Sequence, residues 1–225
     1  MEDESAVRNL LCAVFGDSED DSGEDGIFSE RQWEHVEEVE GLWICRDFLS
    51  NHEQQELIDD IEAVESWFTN PNENQAMRFG GLPLWALNLS ALVHSCVLEE
   101  QLSKRSKILA REVISREPLF DQMIVNSYKP LEGIGAHVDL LRFEDGIVIL
   151  SLVSSRVMTF KSCEDGSRKV GVMLRPGDLL VMSGEARYGW THEINTNPAQ
   201  QIWDGVPVPQ ESRISVTLRR LCRQN

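Results

Sequence analysis

The side chains best placed to do chemistry are His137 and Asp139, two positions apart, His192 a further 55 positions after His137, and then Arg213. On an extended segment residues i and i+2 point the same way, so an imidazole nitrogen and a carboxylate oxygen can meet one ion. Two histidines and a carboxylate make the facial triad of non-haem Fe(II), which leaves coordination positions open for a co-substrate and an oxidant. The 2-oxo acid end of 2-oxoglutarate and dioxygen suit those positions. A His-x-Asp pair alone recurs by chance. A histidine closing the strand-like run 187–192 and an arginine in a later strand turn the pair into a candidate oxygenase site.

The run 213–219 reads RISVTLR. Arg213, Ser215, Thr217 and Arg219 share one face of a strand, and Ile214, Val216 and Leu218 share the other. The polar face carries an arginine at each end, roughly 20 Å apart at Cα by strand rise. A guanidinium forks onto a carboxylate through two hydrogen bonds, so this face suits a five-carbon diacid held at both ends. Asn126 and Tyr128 form a second i/i+2 pair able to donate to the same carboxylates.

These residues need a scaffold, and from residue 120 the texture is that of short strands: 122–128, 146–153, 156–161, 168–174, 178–183, 187–193 and 213–220. Glu164-Asp165-Gly166 and Pro176-Gly177-Asp178 supply turns, and 195–212 reads as a long loop. The small residues Gly133, Gly135 and Ala136 suggest a sharp backbone turn into the metal pair. Upstream, 42–45 reads as a strand. Ser50 to Glu53 is a capping box opening a helix near 51, with Leu57, Ile58, Ile61 and Val64 at helical period. Residues 88–115 look helical in two pieces. The fold class is therefore mainly β with flanking helices (α+β), a double-sheet jelly roll, or double-stranded β-helix.

A chain of 225 residues with net charge -17 is one domain with a tail. Residues 1–40 carry 14 acids against 2 bases, and the remaining 185 carry 24 against 19, so the excess acid sits in the tail. Residues 1–35 are expected to be an acidic, disordered tail with a short apolar motif at 7–15 (Val7, Leu10, Leu11, Val14, Phe15) that suits a protein partner. The domain proper is expected over 36–225. The mildly acidic folded part would need a local basic patch to hold phosphates. No apolar run spans a membrane. Five scattered cysteines without a CxxC read as reduced thiols, so a cytoplasmic or nuclear monomer is expected.

Together Asn126-x-Tyr128, His137-x-Asp139, His192, and Arg213 with Arg219 six positions on resemble the AlkB family of Fe(II)/2-oxoglutarate dioxygenases. The likeness covers about residues 36–225 and is strongest to the branch whose oxygenase domain hydroxylates the tRNA wobble uridine. It is carried by 133–139, Phe143-Glu144-Asp145, Ser151-Leu152, Val157-Met158 and 180–192. The resemblance implies a jelly roll with an N-terminal nucleotide-recognition lid, here 68–90, where Arg78 or Trp85 is in reach of a base or sugar, though Trp85 also suits the core. It implies Fe(II), 2-oxoglutarate and dioxygen as cofactors, with His137, Asp139 and His192 on the metal. Arg213 would pair with the C5 carboxylate beside Tyr128, and Arg219 and Asn126 would serve the other end. Val153 stands where the family has glycine and Thr159 where the nearest branch has an acid. Both are expected in the barrel lining, where they would bear on substrate choice.

The function expected is oxidation of a modified or alkylated nucleobase in RNA, tRNA foremost, by hydroxylation or oxidative demethylation. Repair demethylation of alkylated DNA or RNA is one alternative. A protein or small-molecule hydroxylase, or an inactive binding module on the same fold, is another.

Overall fold

The computed structural model describes residues 31–64, 67, 68 and 74–222. The 7–15 motif and nearly all of the acidic tail lie outside them. The tail's last residues do not: strand β1 (Gln32–His35) pairs antiparallel with β2 (Leu42–Arg46).

Two sheets face one another. The larger uses β1 and β2 with β3 (Gln75–Phe79), β4 (Gln122–Tyr128), β6 (Ile147–Leu152), β9 (Leu179–Met182) and β13 (Arg213–Arg219), in the order β1-β2-β9-β6-β13-β4-β3. The smaller is β5-β10-β7-β8, built from β5 (Ile134–His137), β7 (Arg156–Ser162), β8 (Lys169–Leu174) and β10 (Trp190–Ile194). Two short strands, β11 (Ile202–Trp203) and β12 (Val206–Pro207), and one 3-10 turn interrupt the loop expected at 195–212.

Helices α1 (Asn51–Glu62) and α2 (Leu84–Lys104) and the single turn α3 (Arg111–Ile114) join the core on the far side of the large sheet. The capping box opens α1 as its sequence requires: Glu53 N donates to Ser50 Oγ, and Ser50 N donates to Glu53 Oε2. Alternation then sorts the side chains of the large sheet. Val125, Val148, Leu150, Val216 and Leu218 pack with Leu57, Ile61, Leu89 and Val93 of the helices. Ile149, Leu180 and Met182 face the other way, toward Met158, Phe160 and Trp190 of the small sheet. Trp85 packs edge-on against Trp67 in the helical core, away from the cavity. Among the described residues no helix is long and apolar enough to cross a membrane.

Two sequence expectations give way. Residues 187 and 188 are not strand but the end of a short helix, α4 (Glu185–Tyr188). Gly184, at φ +52°, turns the chain out of β9, and the buried Arg187 side chain is used to hold a loop. Val153 and Thr159 do not line the barrel interior. Thr159 is out of phase with Met158 and Phe160, which pack inward from β7. Val153 sits in the exposed turn after β6 at φ +74°, where Ser154 N donates to Leu152 O.

That turn closes an i→i+2 ring, a tight conformation that is strained for a β-branched residue. Val153→Gly is expected to stabilise the protein by about 1 kcal/mol, raising the melting temperature by roughly 2–4 °C. An unchanged or lower melting temperature would remove the strain argument.

Candidate active site

Register brings the metal candidates together. β5 and β10 run antiparallel with His137 opposite His192, which closes the 55-residue gap between them. Their rings lie 4.3 Å apart, centroid to centroid. Gly133 permits this approach, because a Cβ there would sit 2.1 Å from the Ile194 carbonyl oxygen. A Cβ on Gly135 would meet open space, so its lack of a side chain is not needed for packing.

Asp139 follows two residues after His137 and is buried. One ligand atom from each of His137, Asp139 and His192 lies within 4.8 Å of the others. His137 Nδ1 is 2.8 Å from the Gly135 carbonyl and must donate to it, which leaves Nε2 with the free lone pair. His192 Nε2 lies 3.6 Å from Asp139 Oδ2.

Burial, and next the neighbouring His137, push the His192 pKa down to about 4, and Asp139 only partly opposes this. His192 is therefore neutral at pH 7. A neutral imidazole nitrogen and a carboxylate oxygen then direct lone pairs into one space, and a cation satisfies both. The donor set fits Fe(II).

The depressed pKa has a consequence for the metal-free protein. The folded value, about 4, lies below the unfolded one near 6.5. The unfolded chain binds this proton first, so stability is full above about pH 6.5 and falls as pH drops toward 4. Thermal melts in chelator from pH 7.5 to 4.5 should show a loss that is smaller in His192→Gln. Parallel curves for the two proteins would refute the assignment.

A cavity of about 130 Å³ lies between the sheets, lined by the triad and by Asn126, Tyr128, Arg213, Ser215, Thr217 and Arg219. β13 thus presents its polar face to the cavity over its whole length, as its alternation requires. The triad stands near the Arg219 end of that strand. Arg219 donates to Asp139 Oδ1 at 2.5 Å and to Gln122 Oε1 at 2.7 Å. Asn126 spends its carbonyl on Gln75 Nε2, leaving its NH₂ for a ligand.

Arg213 closes the opposite end and differs in kind. It is 2% exposed, donates to Ser151 Oγ at 2.9 Å, and has a buried Nε with no hydrogen-bond partner among the described residues. Burial pulls its pKa down to about 10, opposed by the adjacent Tyr128. Burial likewise raises the Tyr128 phenol. A dry guanidinium with an unsatisfied donor, facing a cavity beside a neutral phenol, fits the carboxylate of 2-oxoglutarate. The two arginines are therefore not an equivalent pair: Arg219 is already anchored on two side chains.

Several contributors escape the motif. Gln122 shares the 122, 124, 126, 128 face of β4, so extending the Asn126/Tyr128 alternation finds it. Arg187 gives no such local signal. It is 2% exposed and donates to the carbonyls of Asp139, Leu140 and Phe143 at 2.9, 2.9 and 3.0 Å. One guanidinium thus clasps the loop after Asp139 to the segment leading into His192. Asp145 Oδ1 adds to the clasp by accepting from Gly184 N.

The fold and this site agree with known proteins. The family model described as 2OG-Fe(II) oxygenase superfamily matches residues 90–219. The tRNA (carboxymethyluridine(34)-5-O)-methyltransferase ALKBH8 of Macaca fascicularis is 34% identical over 164 residues, 68% of this chain and 24% of that protein. The alkylated DNA repair protein ALKBH8 homolog of Arabidopsis thaliana is 26% identical over 215 residues, 81% of this chain and 59% of that one. The chain therefore spans only part of these relatives. The structure of OsALKBH1 superposes with a TM-score of 0.57 at 17% identity, over 80% of this chain and 98% of that one. The chain belongs to the 2OG-Fe(II) oxygenase superfamily, among relatives that are AlkB homologues, and is an Fe(II)- and 2-oxoglutarate-dependent dioxygenase.

Proposed function

We propose that this dioxygenase oxidises a modified or alkylated base in RNA, tRNA foremost, by hydroxylation or oxidative demethylation. The observation that carries the reading is its 34% identity to a protein whose name specifies a tRNA carboxymethyluridine methyltransferase. The recessed cavity between the sheets supports it, since an enzyme acting on a base needs that base splayed out of its stack, as single-stranded loops allow.

In this reading His137, Asp139 and His192 hold Fe(II). When bound, the iron couples decarboxylation of 2-oxoglutarate to succinate with insertion of one oxygen atom of O₂ into a C–H bond. The chain does the rest. Arg213 neutralises the C5 carboxylate with Tyr128 beside it, and Asn126 and Arg219 serve the 2-oxo acid end. Arg219 also fixes Asp139 Oδ1, so that Oδ2 stays turned toward His192. Ile124, Ile134, Ile149 and Ile194 wall the cavity against water. The stretch 68–90 supplies the substrate lid through β3, whose Gln75 lines the cavity, over a domain at 36–225 that follows an acidic tail at 1–35. The chain works as a monomer in the cytoplasm or nucleus, with a protein partner recruited through 7–15.

A second reading, demethylation of alkylated DNA or RNA, is favoured by the Arabidopsis relative, an alkylated DNA repair protein by name. The product separates the two. Incubation with Fe(II), 2-oxoglutarate and tRNA should release succinate and give a nucleoside heavier by one oxygen. Repair should instead release formaldehyde and lose a methyl group. Succinate release stimulated by a peptide or small acid, but by neither nucleic acid, would overturn both.

A further inference from the structure

Side chains alternate between ring and guanidinium from the surface to a metal candidate. Phe79, 48% exposed on the edge strand β3, has the Arg142 guanidinium 5.4 Å from its ring centroid. Arg142 lies 5.1 Å from the buried Phe143 ring, and Arg219 lies 3.9 Å from that same ring. Arg219 in turn holds Asp139. The outer end of this ladder adjoins the cavity. On β3, Gln75, Met77 and Phe79 share one face, and Gln75 lines the cavity. Met77 stands opposite Ile124 of the cavity wall and is itself 46% exposed.

We propose that Phe79, with Arg142 beneath it and Met77 alongside, is the seat for a nucleobase flanking the oxidised one in a single strand. The inference rests on the nucleic-acid reading above. The occupant follows from the geometry: a half-exposed ring ending a ring–guanidinium stack accepts another flat ring. Such stacking tolerates any base. Arg142 is exposed and, among the described residues, makes ring contacts rather than a salt bridge, so its charge remains available to the adjoining phosphate. This matters in a chain whose net charge of -17 offers little general attraction to RNA. Neither residue touches the triad or Arg213, so the seat positions the strand and takes no part in the chemistry.

The test is anisotropy of a fluorescein-labelled anticodon stem-loop oligoribonucleotide on the Fe-free full chain with 2-oxoglutarate. Phe79→Ala should weaken binding about 10-fold with its salt dependence unchanged. Arg142→Ala should weaken binding and lower the salt slope by about 1. Phe79→Trp should hold wild-type affinity, and the introduced indole should be quenched as the oligonucleotide saturates. If wild type binds the oligonucleotide and Phe79→Ala binds it equally, the seat is wrong and the nucleic-acid reading survives. If wild type binds no oligonucleotide, both fall.

Discussion

Asp139→Ala is expected to reduce 2-oxoglutarate turnover to background. The carboxylate does two jobs. Its Oδ2 completes the donor set with His192, and its Oδ1 neutralises Arg219. Removing it deletes one of the three candidate ligands and leaves a buried guanidinium whose remaining side-chain hydrogen-bond partner among the described residues is Gln122. Breaking a buried charge pair costs about 3–5 kcal/mol, so the melting temperature should fall as well. His137→Ala separates the effects. It removes a ligand from a half-buried position without orphaning a charge, so it should lose turnover while melting near wild type. Anaerobic addition of Fe(II) and 2-oxoglutarate should give a weak visible charge-transfer band in wild type and none in either variant. Wild-type turnover in either one would break the metal assignment.

Arg213→Met should split two properties that usually travel together. The guanidinium is fully buried, bonds to Ser151 Oγ, and faces no carboxylate among the described residues. Replacing an uncompensated buried cation by an apolar side chain of similar length should stabilise the ligand-free fold, by about 1 kcal/mol or more. The same change removes the partner of the co-substrate's far carboxylate. Truncating such a buried pair costs about 2–5 kcal/mol, so the KM for 2-oxoglutarate should rise by about 100-fold, with kcat changed less. Melts with and without 2-oxoglutarate give both readings. Wild type should gain stability on adding the co-substrate, and the variant should start higher and gain almost nothing. A variant that melts lower and keeps the wild-type KM would show that Arg213 is structural.

Much of this site was legible because strand alternation is short-range. The run RISVTLR declares which residues face the cavity before any partner strand is known, and β13 obeys it. The capping box at Ser50 is equally local. The His-x-Asp spacing is local too, but His192 reaches it only through the β5–β10 register, which no window of sequence contains. The errors share a cause. Val153 is a strand former placed in a tight turn, so propensity extends β6 by one residue too many. Arg187 reads as strand because the clasp that fixes it bonds to residues over 40 positions away. β3 is an edge strand whose pattern is lost beside Gly80 and Gly81. Arg219 was visible as a cation, but not its commitment to Asp139 and Gln122, which needs three strands and a loop assembled first.

Arg187 also sets how this enzyme can change. It grips the 139–143 loop by main-chain oxygens, and a carbonyl is the same whichever side chain it belongs to. Leu140 and Leu141, 59% and 77% exposed, can therefore be exchanged for other residues without loosening the backbone that carries Asp139. The loop that follows Asp139 becomes a place where selection, or a combinatorial library, can rewrite what the enzyme accepts while the chemistry is left untouched.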